Sequence, residues 1–193
     1  MSLFVIADPH LSFSSNKSMD IFKGWSDYTS RLRDNWQSAV SENDTVVVPG
    51  DISWAMNIEE ALNDFKFLNS LNGRKIILKG NHDYWWTTKS KADKFFEANG
   101  LTTLNVLNNN FYSYEDIGIC GTRGWINDGS EPADAKVIRR EAMRLERSIQ
   151  GAVQSGLYPV VFMHYPPVFA ESINDDIMEV LIKYGIKLCF YGH

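Results

Sequence analysis

Short, continuous apolar runs recur along the chain and constrain its fold more than any other feature. Runs of this kind are typical of β-strands that are covered on both faces. We expect strands over seven segments, at residues 3–7, 45–48, 75–79, 111–114, 118–121, 158–163 and 186–191. The fourth and fifth runs are separated by only three residues, which predicts a β-hairpin and therefore a mixed sheet.

Segments with helical periodicity lie between these runs. Apolar residues share one helical face over residues 28–40, 58–71 and 138–153, and a shorter helix is expected over residues 175–184. The second stripe follows Asn57, with Glu60 three residues later, a spacing similar to that of a capping box. The alternation of strands and helices predicts an α/β layered fold.

Composition limits the classes of partner and compartment. The 193 residues carry a net charge of −5, which argues against a dedicated nucleic-acid binder because phosphate contacts need a basic surface. The chain contains no apolar run near the roughly 18 residues of a membrane span, and its first residues contain no basic region typical of a signal peptide. Cys120 and Cys189 lie in predicted strands and fit reduced thiols. We therefore expect a cytoplasmic protein without membrane association.

Polar residues follow five of the predicted strands at the point where each strand ends. Ligands of open α/β sheets bind beyond the carboxyl ends of strands, so these positions are candidates for one shared site. They are Asp8, His10, Asp51, Asn81, His82, Asp83, His164 and His193.

Each of these residues alone has an ordinary structural explanation. A single histidine is more often a surface or hydrogen-bonded residue than a ligand, and Asp8 or Asp51 could be a turn or helix-cap residue. The joint pattern favours a site, because all four histidines of the chain lie at such strand ends. Oxygen and nitrogen ligands without a thiolate suit manganese, iron or zinc. The set exceeds the needs of one ion, so two ions sharing a carboxylate are expected, with a bridging hydroxide that attacks phosphorus in line.

These motifs resemble those of the calcineurin-like metallophosphoesterase superfamily. The matching pieces are Asp8-Pro9-His10, Gly50-Asp51, Gly80-Asn81-His82-Asp83, His164 and Gly192-His193, in the order of the family and over essentially the whole chain. The resemblance implies a two-sheet α/β sandwich flanked by helices, formed by a single metallophosphoesterase domain over residues 1–193. It also implies a dinuclear, metal-dependent phosphoesterase.

The resemblance further implies a role for each residue. Asp8 and His10 would bind the first metal and Asp51 would bridge both metals. The second metal would be bound by Asn81, His164 and His193. His82 would act near the leaving-group oxygen, and Asp83 would accept a hydrogen bond from His82 and orient it.

Two departures from the family pattern matter. The final motif of the family has a second histidine two positions after the first, whereas this chain stops at His193. We therefore expect that the native protein continues, with that histidine and the family's C-terminal strands. Asp51 is also followed by Ile-Ser-Trp-Ala-Met, unlike the Asp-Arg-Gly extension of the serine/threonine protein phosphatases.

Residues near the motifs offer hypotheses about the substrate. Trp54 and Tyr84 could stack a flat leaving group, although tryptophans at a sheet edge more often pack beneath loops. Arg123 could reach a phosphate oxygen or anchor a loop. Lys79 is expected to be solvated, and the charged helix at residues 136–147 is expected to form a solvated face.

Three functions stay open at this point. The leading hypothesis is a phosphohydrolase acting on a phosphomonoester or phosphodiester of a small molecule. The alternatives are a nuclease of the same superfamily and a catalytically impaired metal-binding scaffold or regulatory protein. The oligomeric state and the choice between monoester and diester are not determined by the sequence.

Overall fold

The chain forms two four-stranded sheets packed face to face, with helices on the outer face of each. The computed structural model describes residues 1–126, 132–170 and 172–193, without the side chains of residues 132–134. In chain order the described elements are β1 Leu3–Val5, α1 Tyr28–Ala39, β2 Thr45–Pro49, α2 Leu62–Ser70, β3 Arg74–Leu78, α3 Lys89–Ala98, β4 Leu104–Val106, β5 Tyr112–Tyr114, β6 Ile117–Thr122, α4 Pro132–Gln154, β7 Tyr158–Met163, β8 Val168–Phe169, β9 Ser172–Ile173, α5 Asp175–Lys183 and β10 Cys189–Tyr191. The expected two-sheet α/β sandwich is confirmed.

Strand direction brings the functional ends of the strands together. The first sheet has the order β1-β2-β3-β4 and all of its pairs are parallel. The second has the order β10-β7-β6-β5, in which only β5 runs antiparallel to its neighbour. The expected hairpin between β5 and β6 is therefore present. In each sheet the parallel strands end at one common edge, which places the loops that follow them side by side.

Three apolar layers hold the sandwich together. Val47, Ile76 and Phe162 pack between the two sheets. Alternate residues of the same strands, such as Val46 and Val48, point to the other face and pack with the helices over the first sheet. A third layer joins the second sheet to α4 and α5. This coverage on both faces explains why the strands are continuously apolar rather than alternating.

Several elements differ from the sequence expectations. The short strands β4, β8 and β9 and the helix α3 were not predicted, and β10 begins at Cys189 rather than at residue 186. α2 begins later than its apolar stripe, because residues around Asn57 form a separate turn. In that turn the Asn57 Oδ1 accepts from the Glu60 N–H at 2.9 Å, and the Glu60 carboxylate accepts from the Met56 N–H at 2.8 Å. Among the described residues, no helix has the length and apolar character needed to cross a membrane.

Candidate metal centre

The predicted site residues converge on one edge of the sandwich, and both sheets contribute to it. From the first sheet, Asp8 and His10 follow β1, and Asp51 follows β2. The Gly80-Asn81-His82-Asp83 segment follows β3. From the second sheet, His164 follows β7 and His193 follows β10. The site therefore lies across the junction of the two sheets.

Backbone hydrogen bonds align the loops that follow β1 and β2. The Asp8 N–H donates to the Gly50 carbonyl at 3.2 Å, and the His10 N–H donates to the Asp51 carbonyl at 2.9 Å. Asp8, His10, Asp51 and His193 all have positive φ angles, between 44° and 72°. A left-handed conformation costs a non-glycine residue on the order of 1 kcal/mol, so this concentration of strain at one site is typical of functional geometry.

Two glycines allow the loops to approach closely enough to build the site. A Cβ on Gly50 would lie 2.7 Å from both the Gly80 Cα and the His164 Nδ1, and the φ of Gly50 is +95°. A Cβ on Gly80 would collide with Asp51, lying 2.8 Å from its Cγ. Any side chain at either position would therefore push apart the segments that carry Asp51, His164 and the residues after β3.

Two groups of candidate ligands share one carboxylate. Asp8, His10 and Asp51 form the first group, and Asp51, His164 and His193 form the second. Within each group the donor atoms lie within 4.8 Å of one another. Asp51 is only 2% exposed, and its two oxygens face different histidines: Oδ2 lies 3.7 Å from His10 Nε2, and Oδ1 lies 3.6 Å from His164 Nε2. This is the arrangement expected of a carboxylate that bridges two ions.

The environment of His164 fits a divalent cation. Its Nδ1 lies 3.0 Å from the Pro49 carbonyl, which can only accept, so Nδ1 carries the proton and Nε2 presents a lone pair. That lone pair faces the Asn81 Oδ1 at 2.6 Å. Burial lowers the pKa of His164, an effect that the nearby Asp51 carboxylate opposes, so the neutral imidazole is favoured. Converging imidazole and amide acceptors beside a carboxylate are suitable ligands for manganese, iron or zinc.

His193 and Asp8 connect the two ligand groups. The His193 N–H donates to the Asp8 Oδ2 at 3.0 Å, and the His193 ring lies 5.1 Å from the His164 ring. A Cβ on Gly192 would lie 2.8 Å from the same Asp8 oxygen, which shows how closely β10 approaches the loop after β1. The last strand of the second sheet thus meets the first strand of the first sheet at this site.

His82 lies beside the ligand groups without belonging to either. Its backbone N–H donates to the Asp51 Oδ1 at 2.8 Å, and its ring lies 5.7 Å from the His10 ring and 4.3 Å from the Trp54 ring. The His82 Nδ1 is buried and has no hydrogen-bond partner among the residues that the structure describes. A histidine held next to candidate metal ligands with an unused ring nitrogen is suited to proton transfer.

The expected hydrogen bond between His82 and Asp83 is wrong. The fully buried Asp83 side chain turns inward and accepts from four other donors: the backbone N–H groups of Ile52, Ser53 and Gly80, and the Trp85 indole. Burial raises the pKa of Asp83 to about 6, although these hydrogen bonds oppose the shift. Through these hydrogen bonds Asp83 links the loop after β3 to the loop after β2.

The aromatic residues near the site divide into two kinds. Trp54 stacks on the His10 ring at 5.0 Å, and the Lys17 ammonium lies 4.9 Å from the Trp54 ring and 5.9 Å from the Tyr84 ring. Tyr84 is 51% exposed, so it is accessible to a ligand. Trp85 is instead buried in the core, as expected of a tryptophan that packs beneath a loop. Lys17 was missed because nothing near it in the sequence indicates that its loop reaches the site.

The described geometry defines a class of protein, the α/β/β/α sandwich with a histidine–carboxylate centre at the shared edge of its two sheets. The chain belongs to the calcineurin-like phosphoesterase family, whose model matches residues 1–193. No curated protein matches the chain.

The solved structures that match the chain include the following two. A protein of unknown function from Aquifex aeolicus is 16% identical, with a TM-score of 0.49 over 99% of this chain and 89% of that one. A phosphopantetheinyl hydrolase from Mycobacterium tuberculosis is 15% identical, with a TM-score of 0.52 over 99% of this chain and 82% of that one. At this identity the second likeness shows the fold alone.

Proposed function

We propose that this protein is a metal-dependent phosphohydrolase that cleaves a phosphomonoester or phosphodiester at a centre for two divalent ions. The observation that carries the proposal is the shared Asp51, which joins the Asp8–His10 group to the His164–His193 group. Manganese, iron or zinc in these groups would supply Lewis acidity to the phosphoryl oxygens and would lower the pKa of water. Asn81 adds an oxygen ligand without adding a negative charge that would repel phosphate.

The side chains around this centre would orient the ester and manage its protons. His82 lies outside both ligand groups, so its ring is available to hold a proton near the leaving-group oxygen. Trp54 and Tyr84 would border the leaving group, with the Lys17 ammonium above them. The net charge of −5 favours a small phosphorylated molecule over nucleic acid as the substrate.

A catalytically impaired scaffold is the second candidate, and one feature of the centre bears on it. His82 lies beside both ligand groups and belongs to neither. Metal binding alone would give no use to a histidine placed in this way. We therefore favour the enzyme.

The test is hydrolysis of p-nitrophenyl phosphate and bis(p-nitrophenyl) phosphate by the purified protein with added Mn²⁺. We expect turnover, and we expect His82→Ala to lower kcat by about 10²- to 10⁴-fold, as for loss of a general acid, while the bound manganese per chain stays unchanged. His10→Ala serves as the comparison, because it should lose manganese together with activity. Stoichiometric manganese binding without turnover on either ester would favour the scaffold.

A further inference from the structure

A small polar cavity lies at the carboxyl ends of β3, β4 and β6, on the same edge of the sandwich as the metal centre. Its charged and amide-bearing lining residues are Lys79, Asn108, Asn109, Arg123, Glu141 and Arg144. Lys79 directly precedes Gly80 of the site loop. Lys79 was expected to be solvated, but it is partly buried, and Glu141 of the charged helix is 1% exposed and points inward.

The charges of the described residues that face this cavity do not balance. Among these residues Glu141 is the one carboxylate, against three cations: Lys79, Arg123 and Arg144. That carboxylate is already satisfied, because it accepts from the Thr122 hydroxyl and from Arg144 Nη1, each at 2.5 Å. The remaining positive charge belongs to Lys79 and Arg123.

Arg123 forms no close ion pair among the described residues, although the Glu141 carboxylate lies near enough to interact with its charge. The Arg123 Nε is buried and makes no hydrogen bond, and no carboxylate in the described part of the chain forms an ion pair with its guanidinium. The guanidinium carbon lies 4.4 Å from the centre of the Trp125 ring, so its plane is positioned by packing. Burying a cation in this way is unfavourable unless a hydrogen-bonding anion joins it.

Tyr165 lies between Arg123 and the metal centre. The Tyr165 N–H donates to the Arg123 carbonyl at 2.9 Å, and the Tyr165 ring lies 4.5 Å from the His193 ring. The cavity and the metal centre are therefore neighbours on one edge of the sandwich. The accessible space, about 20 Å³, admits a group about the size of a water molecule, such as one oxygen of an anion that contacts the lining cations.

We propose that Arg123 and Lys79 form an anion subsite that takes a second anionic group of the substrate, a phosphate or a carboxylate. This inference rests on the proposed function, because the first phosphate ester would lie at the metal centre. Arg123 offers the planar donor set that suits such a group, and Asn108 and Asn109 add neutral polar atoms to the wall. The substrate class is thus a small molecule with two anionic groups.

The first arm of the test measures binding without catalysis. Inorganic pyrophosphate is titrated into chelator-treated protein by calorimetry, with tryptophan fluorescence as a second readout because Trp86 and Trp125 adjoin the cavity. We expect saturable binding that Arg123→Met weakens about tenfold or more, the effect of losing charged hydrogen bonds. Arg123→Lys keeps a charge and should weaken binding less. Arg147→Met, an exposed arginine on α4, is the matched control and should bind as the wild type does.

The second arm compares an alkyl monophosphate with the matched alkanediol bisphosphate in the presence of Mn²⁺. We expect Arg123→Met to reduce kcat/KM for the bisphosphate about tenfold more than for the monophosphate. Equal losses of kcat/KM on both esters would overturn the proposal that Arg123 binds the second anionic group of the substrate. Pyrophosphate binding that is absent, or that Arg123→Met leaves unchanged in a folded variant, would overturn the subsite itself. If no ester is hydrolysed, the first arm still tests the anion subsite. Failure of the proposed function can therefore be distinguished from failure of the subsite.

Discussion

Lys75 is buried in the sandwich at the start of β3, at the end of the sheet opposite the metal centre. Its side chain is 0% exposed, and its ammonium donates to the carbonyls of Leu71 at 2.5 Å and Gly73 at 2.8 Å. No carboxylate of the described residues forms an ion pair with it. Burial lowers the pKa of Lys75 from 10.5 to about 8. We predict that this lysine makes stability depend on pH.

The sign and size of the effect follow from proton linkage. Below pH 8 the lysine is charged in both states, and the folded state carries the full desolvation penalty, about 3 kcal/mol for a pKa difference of this size. Between pH 8 and 10.5 the folded lysine is neutral while the unfolded lysine still binds a proton, so stability rises with pH. Relative to Lys75→Met, the free energy of unfolding of the wild type should rise by about 2.5 kcal/mol between pH 7 and pH 10.

The assay is urea denaturation of the chelator-treated wild type and Lys75→Met at a series of pH values. Other groups titrate in both proteins and cancel in the difference. Lys66→Met, an exposed lysine on α2, is the control and should give a difference from wild type that does not change with pH. If the difference between wild type and Lys75→Met were equally flat, the two backbone carbonyls would solvate the ammonium as well as water does, and the reasoning would be refuted.

Three further predictions concern the metal centre. Asp51→Asn should weaken binding of both manganese ions, whereas Asp8→Asn should weaken one, which metal analysis after equilibrium dialysis would show as different stoichiometries. Gly80→Ala should destabilise the fold by about 1–3 kcal/mol through overpacking against Asp51 and should also lower the affinity for manganese. An unchanged manganese affinity by calorimetry would contradict the close approach of Gly80 to Asp51. Asp83→Asn should lower the free energy of unfolding by about 2 kcal/mol or more, measured without metal, because an amide hydrogen would face a backbone N–H.

The sequence predicted the convergence of the strand ends better than the contacts that support them. Strand ends could be identified because each apolar run stops at a glycine or a polar residue, and the topology then places those ends at one edge. The role of Asp83 could not be predicted, since its four donors come from two loops and the choice between facing His82 or the interior depends on tertiary packing. The family resemblance suggested the wrong partner for Asp83.

The missed elements have a common physical reason. β4 and α3 carry weak local signals: three residues in one case, and a lysine-rich helix with few apolar positions in the other. Both are stabilised by packing on the first sheet, where Ala92, Phe96 and Val106 join its core. Glu141 was misjudged for a related reason, because charge in a sequence indicates exposure unless tertiary partners, here Thr122 and Arg144, satisfy the group in the interior.

The division of the centre between two sheets has a consequence for protein synthesis. The first sheet is built from residues 3–106 and the second from residues 112–191, so the two halves leave the ribosome one after the other. The Asp8–His10–Asp51 group is complete in the nascent chain long before His164 and His193 are translated. A cation captured early would be held by one half alone, and the centre closes only after β10 has docked beside β7. Metal binding by the Asp51–His164–His193 group, rather than by the first group, should therefore report that β10 has docked.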